Sequence, residues 1–175
     1  MKSGHRFIVS NREYRLVKLL GRGKGGYSYL VESDQQYYVL KQIHHEPCDY
    51  YHFGNKIEAE IHDYHRLLKT DINIPKMIDV DREKEIIIKE YIPGPTIAEL
   101  ILAFRDVSLY IQQLEKMLPA LYSTGLNLDY YPTNFVVNAK DNQIYYIDYE
   151  CNEYDPKWNF VNWGKKYWTG EAKIK

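Results

Sequence analysis

The feature that most constrains this chain is a pair of short apolar runs with acidic and amide side chains at their edges. Asp129 and Asn134 lie five positions apart, just ahead of the run at residues 135–137. Asp148 follows at the end of a second run, residues 144–147. Such short β-branched and aromatic runs are typical of strands. An Asp that accepts a proton, with an Asn and an Asp that hold a hard cation, is the minimum equipment for metal-assisted phosphoryl transfer.

Composition and charge limit the classes of protein that this sequence can represent. A chain of 175 residues with 45% hydrophobic and 27% charged residues fits one domain, or two small lobes that share a core. A net charge of -1 gives no electrostatic basis for binding nucleic acid or an anionic membrane, so neither partner is expected. Cys48 and Cys151 are too few for a disulfide framework, and no segment suits a signal peptide or membrane span. We therefore expect a cytoplasmic protein.

The first part of the chain has the pattern of a β-rich region with one helix. Short apolar runs bounded by turn residues predict strands on both sides of a glycine cluster. Apolar residues at helical spacing predict a helix over about 56–69. Pro93-Gly94-Pro95 is the strongest break in the pattern, and we expect it to separate residues 1–92 from residues 93–175.

The second part changes to a helical period. Thr96 and Glu99 have the spacing of a capping box at the start of a short helix. Residues 108–123 suit a longer helix, in which Pro119 is the one irregular position of the pattern. A β-rich part, a break and a helical part with a late β element predict an α+β fold in two lobes.

A glycine-rich segment lies near the start of the β-rich part. Gly21, Gly23 and Gly26 form a G-x-G-x-x-G pattern, and Tyr27 follows it. Glycine permits close approach of the backbone to phosphates. The same pattern occurs in dinucleotide-binding folds, where a helix follows it. Here strand-type runs flank it on both sides, which favours a loop over the phosphates of ATP; a simple glycine-rich hairpin is the alternative.

A lysine lies at the end of a strand-type run that follows the glycine segment. Lys41 ends the run Tyr38-Val39-Leu40, where its charge can neutralise phosphate oxygens if a carboxylate holds its side chain in place. Glu58 and Glu60, on the helix that follows, are the candidates for that carboxylate. The helical phase favours Glu60.

Taken together and in this order, these segments resemble the protein-kinase-like superfamily over nearly the whole chain. The resemblance implies an antiparallel β-sheet N-lobe with one helix and a reduced helical C-lobe. It identifies the residues of the site as the glycine-rich loop with Gly21, Gly23 and Gly26, the lysine–glutamate pair Lys41 and Glu60, the hinge from Glu90 to Gly94, the catalytic-loop residues Asp129 and Asn134, and the metal-binding Asp148.

The same resemblance implies a role for each of these residues. The backbone of Glu90 and Ile92 would hydrogen-bond adenine, and Asp129 would accept the proton of the acceptor hydroxyl. Asn134 and Asp148 would hold Mg²⁺ against the phosphates of ATP. The expected activity is transfer of the γ-phosphate of ATP to a hydroxyl, as in a small serine/threonine-protein-kinase-like enzyme, with a protein or small molecule as the unidentified acceptor. A pseudokinase that binds nucleotide or acts as a scaffold is the alternative.

Several positions depart from the usual kinase pattern. Asn127 stands where a histidine is usual, Tyr131 where a lysine is usual, and Lys89 where the gatekeeper is usually apolar. Glu150 replaces the glycine of the metal-binding motif, so that Asp148-Tyr149-Glu150 looks more like the aminoglycoside- and choline-kinase branch.

The segment after Glu150 is short and aromatic. Its 25 residues leave no room for a full activation segment, and we expect a truncated C-lobe. The aromatic residues are expected to pack against that lobe; the alternative is an exposed patch that binds a partner, and a homodimer is possible.

One further cluster, His44, His45, Cys48 and His52, contains residue types that bind metals. Its spacing matches no standard zinc pattern, and we do not expect a zinc site there.

Overall fold

The computed structural model describes residues 4–46 and 54–174. The chain forms two compact units. The first contains Met1–Ile61 and Lys76–Tyr91, and the second contains His62–Pro75 and Ile92–Lys175. Whether these units act as the two domains expected from residues 1–92 and 93–175 stays a prediction.

The first unit is built on an antiparallel sheet of six strands within the described residues, in the order β1-β2-β3-β4-β6-β5. The strands are β1 (Arg6–Val9), β2 (Arg12–Arg22), β3 (Gly26–Ser33), β4 (Gln36–Ile43), β5 (Met77–Asp81) and β6 (Ile86–Glu90). Residues with φ between 46° and 66° make the turns after β1 and β3, and the two-residue loops there are the connections that hairpins prefer. The turn after β5 has four residues, and its last residue, Glu85, has φ 53°.

Alternation along these strands gives the sheet two apolar faces. One face buries Val9, Tyr14, Leu16, Val31 and Leu40 in a single cluster. The other face buries Ile43 and Ile87 against Ile57 of helix α1 (Lys56–Leu67). Successive side chains of a strand point to opposite faces. Apolar residues at alternate positions therefore supply one cluster, and apolar residues at the positions between them supply the other.

The second unit contains the two helices predicted after the proline-rich break, α2 (Ile97–Leu102) and α3 (Ser108–Ser123). It also contains a short C-terminal helix that the sequence analysis did not predict, α4 (Lys165–Trp168). Thr96 accepts a hydrogen bond from Glu99 N, and the Glu99 carboxylate accepts one from Thr96 N, so the predicted capping box is present. Pro119 lies inside α3 as the sequence indicates.

Short strands complete the second unit, in two pairs within the described residues. They are β7 (Leu126–Leu128), β8 (Phe135–Val137), β9 (Ile144–Tyr146) and β10 (Cys151–Glu153). β8 and β9 occupy the two apolar runs that were predicted to be strands, and they pair with each other, while β7 pairs with β10. The sequence analysis did not predict β7 or β10. The α+β fold class is confirmed.

The aromatic tail contributes to the core of the second unit. Phe160 and Trp168 are buried in one cluster with Leu114, Phe135 and Tyr146. The packing interpretation of the tail is therefore correct for these two rings. No helix in residues 4–46 and 54–174 has both the length and the apolar character needed to cross a membrane.

Candidate active site

The glycine-rich loop of the first unit joins β2 to β3. Gly23 N donates a hydrogen bond of 2.9 Å to Gly26 O, which closes the loop. A Cβ on Gly26 would lie 2.5 Å from Gln42 O on β4, so only glycine permits this close approach of the two strands. Gly21 has no such restriction, because a Cβ there would meet nothing within 4 Å. The loop therefore lies between two antiparallel strands, as its flanking residues predict.

Lys41 and Glu60 form an ion pair under this loop. Lys41 lies on β4 opposite Ser28 and Ile87, and Glu60 lies in the first half of α1. Both side chains are only 12% exposed. A Cβ on Gly25 would lie 3.7 Å from Glu60 Oε1 and 3.8 Å from Lys41 Nζ, so the loop backbone lies directly against the pair.

The structure assigns the two candidate glutamates to different partners. Glu60 pairs with Lys41, whereas Glu58 accepts a 2.5 Å hydrogen bond from Arg82 Nε. Residues two apart on an α-helix differ by about 200° around its axis, so only one of these glutamates can face Lys41. In the described part of the chain, Glu60 Oε2 is a buried oxygen with no hydrogen-bond partner.

The segment assigned to the hinge, Glu90 to Gly94, begins at the last residue of β6. Glu90 N donates to Lys76 O at 2.8 Å, and the Glu90 carboxylate accepts from Lys76 N at 3.1 Å. Lys89 is buried and lies opposite Val39, while Ile87 lies opposite Lys41. Paired residues project to one face of a sheet, so Lys89 shares a face with Lys41. Contacts of Glu90 and Ile92 with adenine stay a prediction.

In the second unit, Asp129 follows β7 and is held by the backbone around it. Tyr131 N donates to Asp129 Oδ1 at 3.1 Å. Asn134 Nδ2 donates to Asp129 O at 3.2 Å, from a single turn of 3₁₀ helix at Pro132–Asn134. This hydrogen bond uses the nitrogen of the Asn134 amide and therefore fixes the direction of its oxygen.

Asn134 is also connected to the second acidic segment. Ile147 N donates to Asn134 O at 2.9 Å, which places Asp148 one residue beyond the contact. Tyr149 N donates to Asp148 Oδ1 at 2.8 Å. Pairing of β7 with β10 sets Leu128 opposite Cys151, so that Asp129 and Glu150 lie beside this paired position. These contacts bring Asp129, Asn134 and Asp148 together within the second unit.

The environment of Tyr146 shows that negative charge is concentrated in this region. Its side chain is buried, and its hydroxyl donates to Glu150 O at 2.7 Å. Burial, followed by the negative charge of Asp148, Asp129 and Glu150, raises the pKa of Tyr146 well above its usual value. Several carboxylates therefore act on one buried phenol, and a cation beside them would be favoured.

The residues of this region fit Mg²⁺ by their chemistry. Mg²⁺ binds oxygen ligands, and protein sites typically supply one or two carboxylates while substrate phosphates and water supply the rest. Asp148 with the directed amide oxygen of Asn134 is a set of this type. In residues 4–46 and 54–174, no group of three His, Cys, Asp or Glu side chains is arranged to hold a metal without such help.

The sequence analysis missed several residues that support this segment. Asn127 is buried; its Oδ1 accepts from Tyr130 OH at 2.8 Å and its Nδ2 donates to Asp155 O at 3.4 Å. Trp168 Nε1 donates to Tyr130 O at 2.9 Å. Gly164 lets the tail approach Tyr130, because a Cβ there would lie 2.5 Å from Tyr130 Cβ. No local pattern predicts the contacts with Asp155, Gly164 and Trp168, since the longest of them joins residues 38 positions apart in the sequence.

The histidine cluster lies partly beyond the described residues. Cys48 and His52 are outside them, so the expectation of no zinc site stays a prediction. His44 and His45 have other partners in the structure: the Nε2 of His44 is 3.0 Å from Gly23 O, and that of His45 is 2.6 Å from Glu85 Oε2.

Comparison with known proteins indicates the class to which this fold belongs. No protein-family model matches the chain. A serine/threonine-protein kinase of Schizosaccharomyces pombe, ppk13, is 37% identical over 65 residues, which are 36% of this chain and 18% of that protein. The crystal structure of the BubR1 kinase domain matches with a TM-score of 0.58 and 19% identity, over 85% of this chain and 49% of that one.

The fold is that of the protein-kinase-like superfamily, as the ordered motifs predicted. The chain is kinase-like in its fold, and it spans about half of the BubR1 kinase-domain chain and less than a fifth of the fission-yeast kinase.

Proposed function

We propose that this protein is an ATP- and Mg²⁺-dependent phosphotransferase that moves the γ-phosphate of ATP to a hydroxyl group. The observation on which the proposal rests is the hydrogen-bonded connection of Asp129, Asn134 and the segment ending at Asp148. This connection holds a potential base and two oxygen ligands in one place, which is the arrangement that phosphoryl transfer needs. The Lys41–Glu60 pair beside the glycine-rich loop supports it independently in the first unit.

Each residue has a role that follows from its chemistry. Lys41, oriented by Glu60, would neutralise phosphate oxygens, and the loop backbone at Gly21, Gly23 and Gly26 would cover them. Asn134 and Asp148 would hold Mg²⁺, which supplies charge neutralisation when bound. Asp129 would orient the acceptor hydroxyl and take its proton.

The acceptor is proposed only as a class. The name of the fission-yeast relative favours a serine or threonine hydroxyl of a protein. The Asp148-Tyr149-Glu150 motif, by its resemblance to the aminoglycoside- and choline-kinase branch, favours a small-molecule alcohol. A radiolabelled phosphotransfer screen with a metabolite panel in one arm and a cell lysate in the other separates these two acceptor classes.

The proposal is tested by titrating the purified chain with ATP, with and without Mg²⁺, while thermal stability is measured. A ligand that binds only the folded state raises stability with its concentration. We expect a larger shift with Mg²⁺, its loss in Asp148→Asn, and its retention in Asp129→Asn. Glu153→Gln, an exposed carboxylate three residues beyond Glu150, is the matched control and should behave as the parent.

Phosphotransfer by these variants then assigns the base. Loss of a positioned general base typically costs about 10²–10⁴-fold in rate, and we expect a loss of that order in Asp129→Asn. Transfer by Asp129→Asn at the parental rate would refute the assignment of Asp129.

A pseudokinase that binds nucleotide without transfer is the second candidate. Lys89 favours it, because a buried lysine just before the hinge is an unusual residue for the wall of an adenine pocket. Binding of ATP without any Mg²⁺-dependent gain in stability, combined with no transfer, would favour this candidate over the enzyme.

A further inference from the structure

The segment after β4 makes a set of contacts with the glycine-rich loop that the proposed roles do not use. His44 N donates to Gly25 O at 3.4 Å, and His44 Nε2 lies 3.0 Å from Gly23 O. The imidazole and a carboxylate two residues later, Glu46, are thus placed beside both halves of the loop. We call His44 and Glu46, with Arg22 and Tyr27, the loop latch.

The contacts of His44 determine which of its forms is present. A carbonyl oxygen can only accept a hydrogen bond, so Nε2 must donate its proton to Gly23 O. Glu46 N donates to His44 Nδ1 at 3.3 Å, so Nδ1 must accept and is not protonated. Only the neutral Nε2–H form makes both hydrogen bonds. Lys56 Nζ donates to His44 O at 2.7 Å and holds the backbone of this segment to the start of α1.

Glu46 connects the two edges of the loop. It pairs with Arg22, the last residue of β2, and accepts a 2.6 Å hydrogen bond from Tyr27 OH on β3. The Tyr27 ring packs on the His44 ring with 5.2 Å between centroids. The Tyr27 hydrogen bond is the largest cause that lowers the pKa of Glu46, which keeps this carboxylate charged at neutral pH.

Holding the carbonyls of a glycine-rich loop also directs its N–H groups. The C=O and N–H of one trans peptide point in opposite directions. The hydrogen bond to Gly23 O therefore turns the N–H of Lys24 away from the imidazole, and the bond to Gly25 O turns the N–H of Gly26 away from the latch. Glycine backbones otherwise sample many conformations. The hydrogen bonds from His44 to these peptides therefore limit the directions in which the backbone N–H groups of the loop point.

We propose that His44 is a positioning residue for phosphate binding: its neutral Nε2–H holds the Gly23 peptide so that the glycine-rich loop is ordered before the nucleotide arrives. This inference rests on the proposed function, because it assumes that the loop binds the phosphates of ATP. Pre-ordering reduces the entropy that binding must oppose, so the latch affects ligands with phosphates and not the nucleoside.

The test compares the affinity for Mg-ATP with that for adenosine in the parent and three variants. His44→Phe keeps a ring against Tyr27 and loses both side-chain hydrogen bonds. His44→Gln places an N–H donor near the position of Nε2. His45→Phe is the matched control, since His45 pairs with Glu85 on the adjoining turn. Amide hydrogen exchange of residues 22–27 is measured in each variant without nucleotide.

We expect His44→Phe to weaken Mg-ATP binding about 3- to 10-fold, the range for one or two net hydrogen bonds, without changing adenosine binding. His44→Gln should recover most of this loss, and His45→Phe should match the parent. Exchange at residues 22–27 should be faster only in His44→Phe.

If the parent binds Mg-ATP, three results would overturn the inference. Parental ATP affinity in His44→Phe would show that the latch has no role, and an equal loss for ATP and adenosine would show a general structural defect. A His44→Gln variant as weak as His44→Phe would refute the Nε2–H donor. If the parent binds neither ligand, the proposed function fails and this inference fails with it, whereas the other results leave the proposed function intact.

Discussion

The two units hold their candidate site residues in different ways. In the first unit, Lys41 lies in the eight-residue strand β4, and the glycine-rich loop joins strands of eleven and eight residues. In the second unit, Asp129 and Asn134 lie between strands of only three residues. Long ladders position the first set through backbone pairing, whereas the second set has little ladder to rely on and depends on aromatic packing and side-chain hydrogen bonds.

The two sets of candidate site residues also differ in their charges. The first unit pairs a cation with an anion, Lys41 with Glu60, on one face of its sheet. The second unit gathers the carboxylates of Asp129, Asp148 and Glu150 around Tyr146. A pair of opposite charges is stable by itself, while a group of like charges favours binding of a cation. We therefore expect the second unit to be most sensitive to the loss of aromatic packing. The first unit should be most sensitive to the loss of the Lys41–Glu60 ion pair or of the close approach of β3 to β4.

The largest expected effect is on the aromatic support of the second unit. Trp168→Ala should destabilise the protein by about 3–5 kcal/mol, because it removes a ring that is 2% exposed and the hydrogen bond to Tyr130 O. Urea unfolding followed by circular dichroism measures the loss, and amide exchange locates it. Trp158→Ala, at a ring 47% exposed, is the control and should change stability by no more than about 0.5 kcal/mol. Equal losses in the two variants would mean that the tail does not support the second unit.

The next effect tests the ion pair of the first unit. Glu60→Gln should cost about 3 kcal/mol, because it leaves the charge of a largely buried Lys41 without its carboxylate. Urea unfolding gives the stability, and ATP titration should show weaker binding. Glu58→Gln, whose side chain is 46% exposed, breaks a pair with Arg82 and should cost about 0.5 kcal/mol or less. A larger effect of Glu58→Gln would reverse the assignment of the lysine partner.

The close approach of β3 and β4 gives the third test. Gly26→Ala should destabilise the first unit by about 2 kcal/mol, because its Cβ would lie 2.5 Å from Gln42 O and the strands must separate. Thermal unfolding checks this value. In Gly21→Ala the new Cβ meets nothing within 4 Å, and stability should be within about 0.5 kcal/mol of the parent. If the two alanines were equally tolerated, the strand contact at Gly26 would not restrict the residue.

The smallest effect concerns a helix end in the second unit. Thr96→Ala removes the side chain that accepts from Glu99 N at 3.0 Å and should cost about 1 kcal/mol. Thr96→Ser keeps the cap and should restore nearly all of the stability, as measured by chemical denaturation. A loss in Thr96→Ser as large as in Thr96→Ala would point to the methyl group of Thr96, and not to its cap.

Much of the local structure could be predicted from the sequence. The capping box at Thr96, the helix over 108–123 and the strands at residues 135–137 and 144–146 are all present. Their signals are contained in a few consecutive residues: a cap with its partner three positions later, a period of 3.6, and two β-type runs joined by a turn. The glycine pattern and Lys41 belong to this group, since their order and the strands that flank them are sufficient to match them to the motifs of the protein-kinase-like superfamily.

The parts that could not be predicted involve residues far apart in the chain. Pairing of Leu128 with Cys151 needs two three-residue strands that have too few residues for a periodic signal. The contacts of Asn127 with the Asp155 backbone and of Trp168 with the Tyr130 backbone depend on how the side chains of the core pack together, which is not a local property of the sequence.

The sequence by itself determined the kinds of element, their order and the residue types of the candidate site, because helix and strand periods and motif spacing are local properties. The sequence favoured Glu60 over Glu58 as the partner of Lys41, and the tertiary structure decided between them. Only the tertiary structure showed that Asn134 is hydrogen-bonded to the segment ending at Asp148 and that His44 contacts the glycine-rich loop. These contacts depend on helix phase, strand register and loop path, and each of these is set by the sum of many weak long-range interactions.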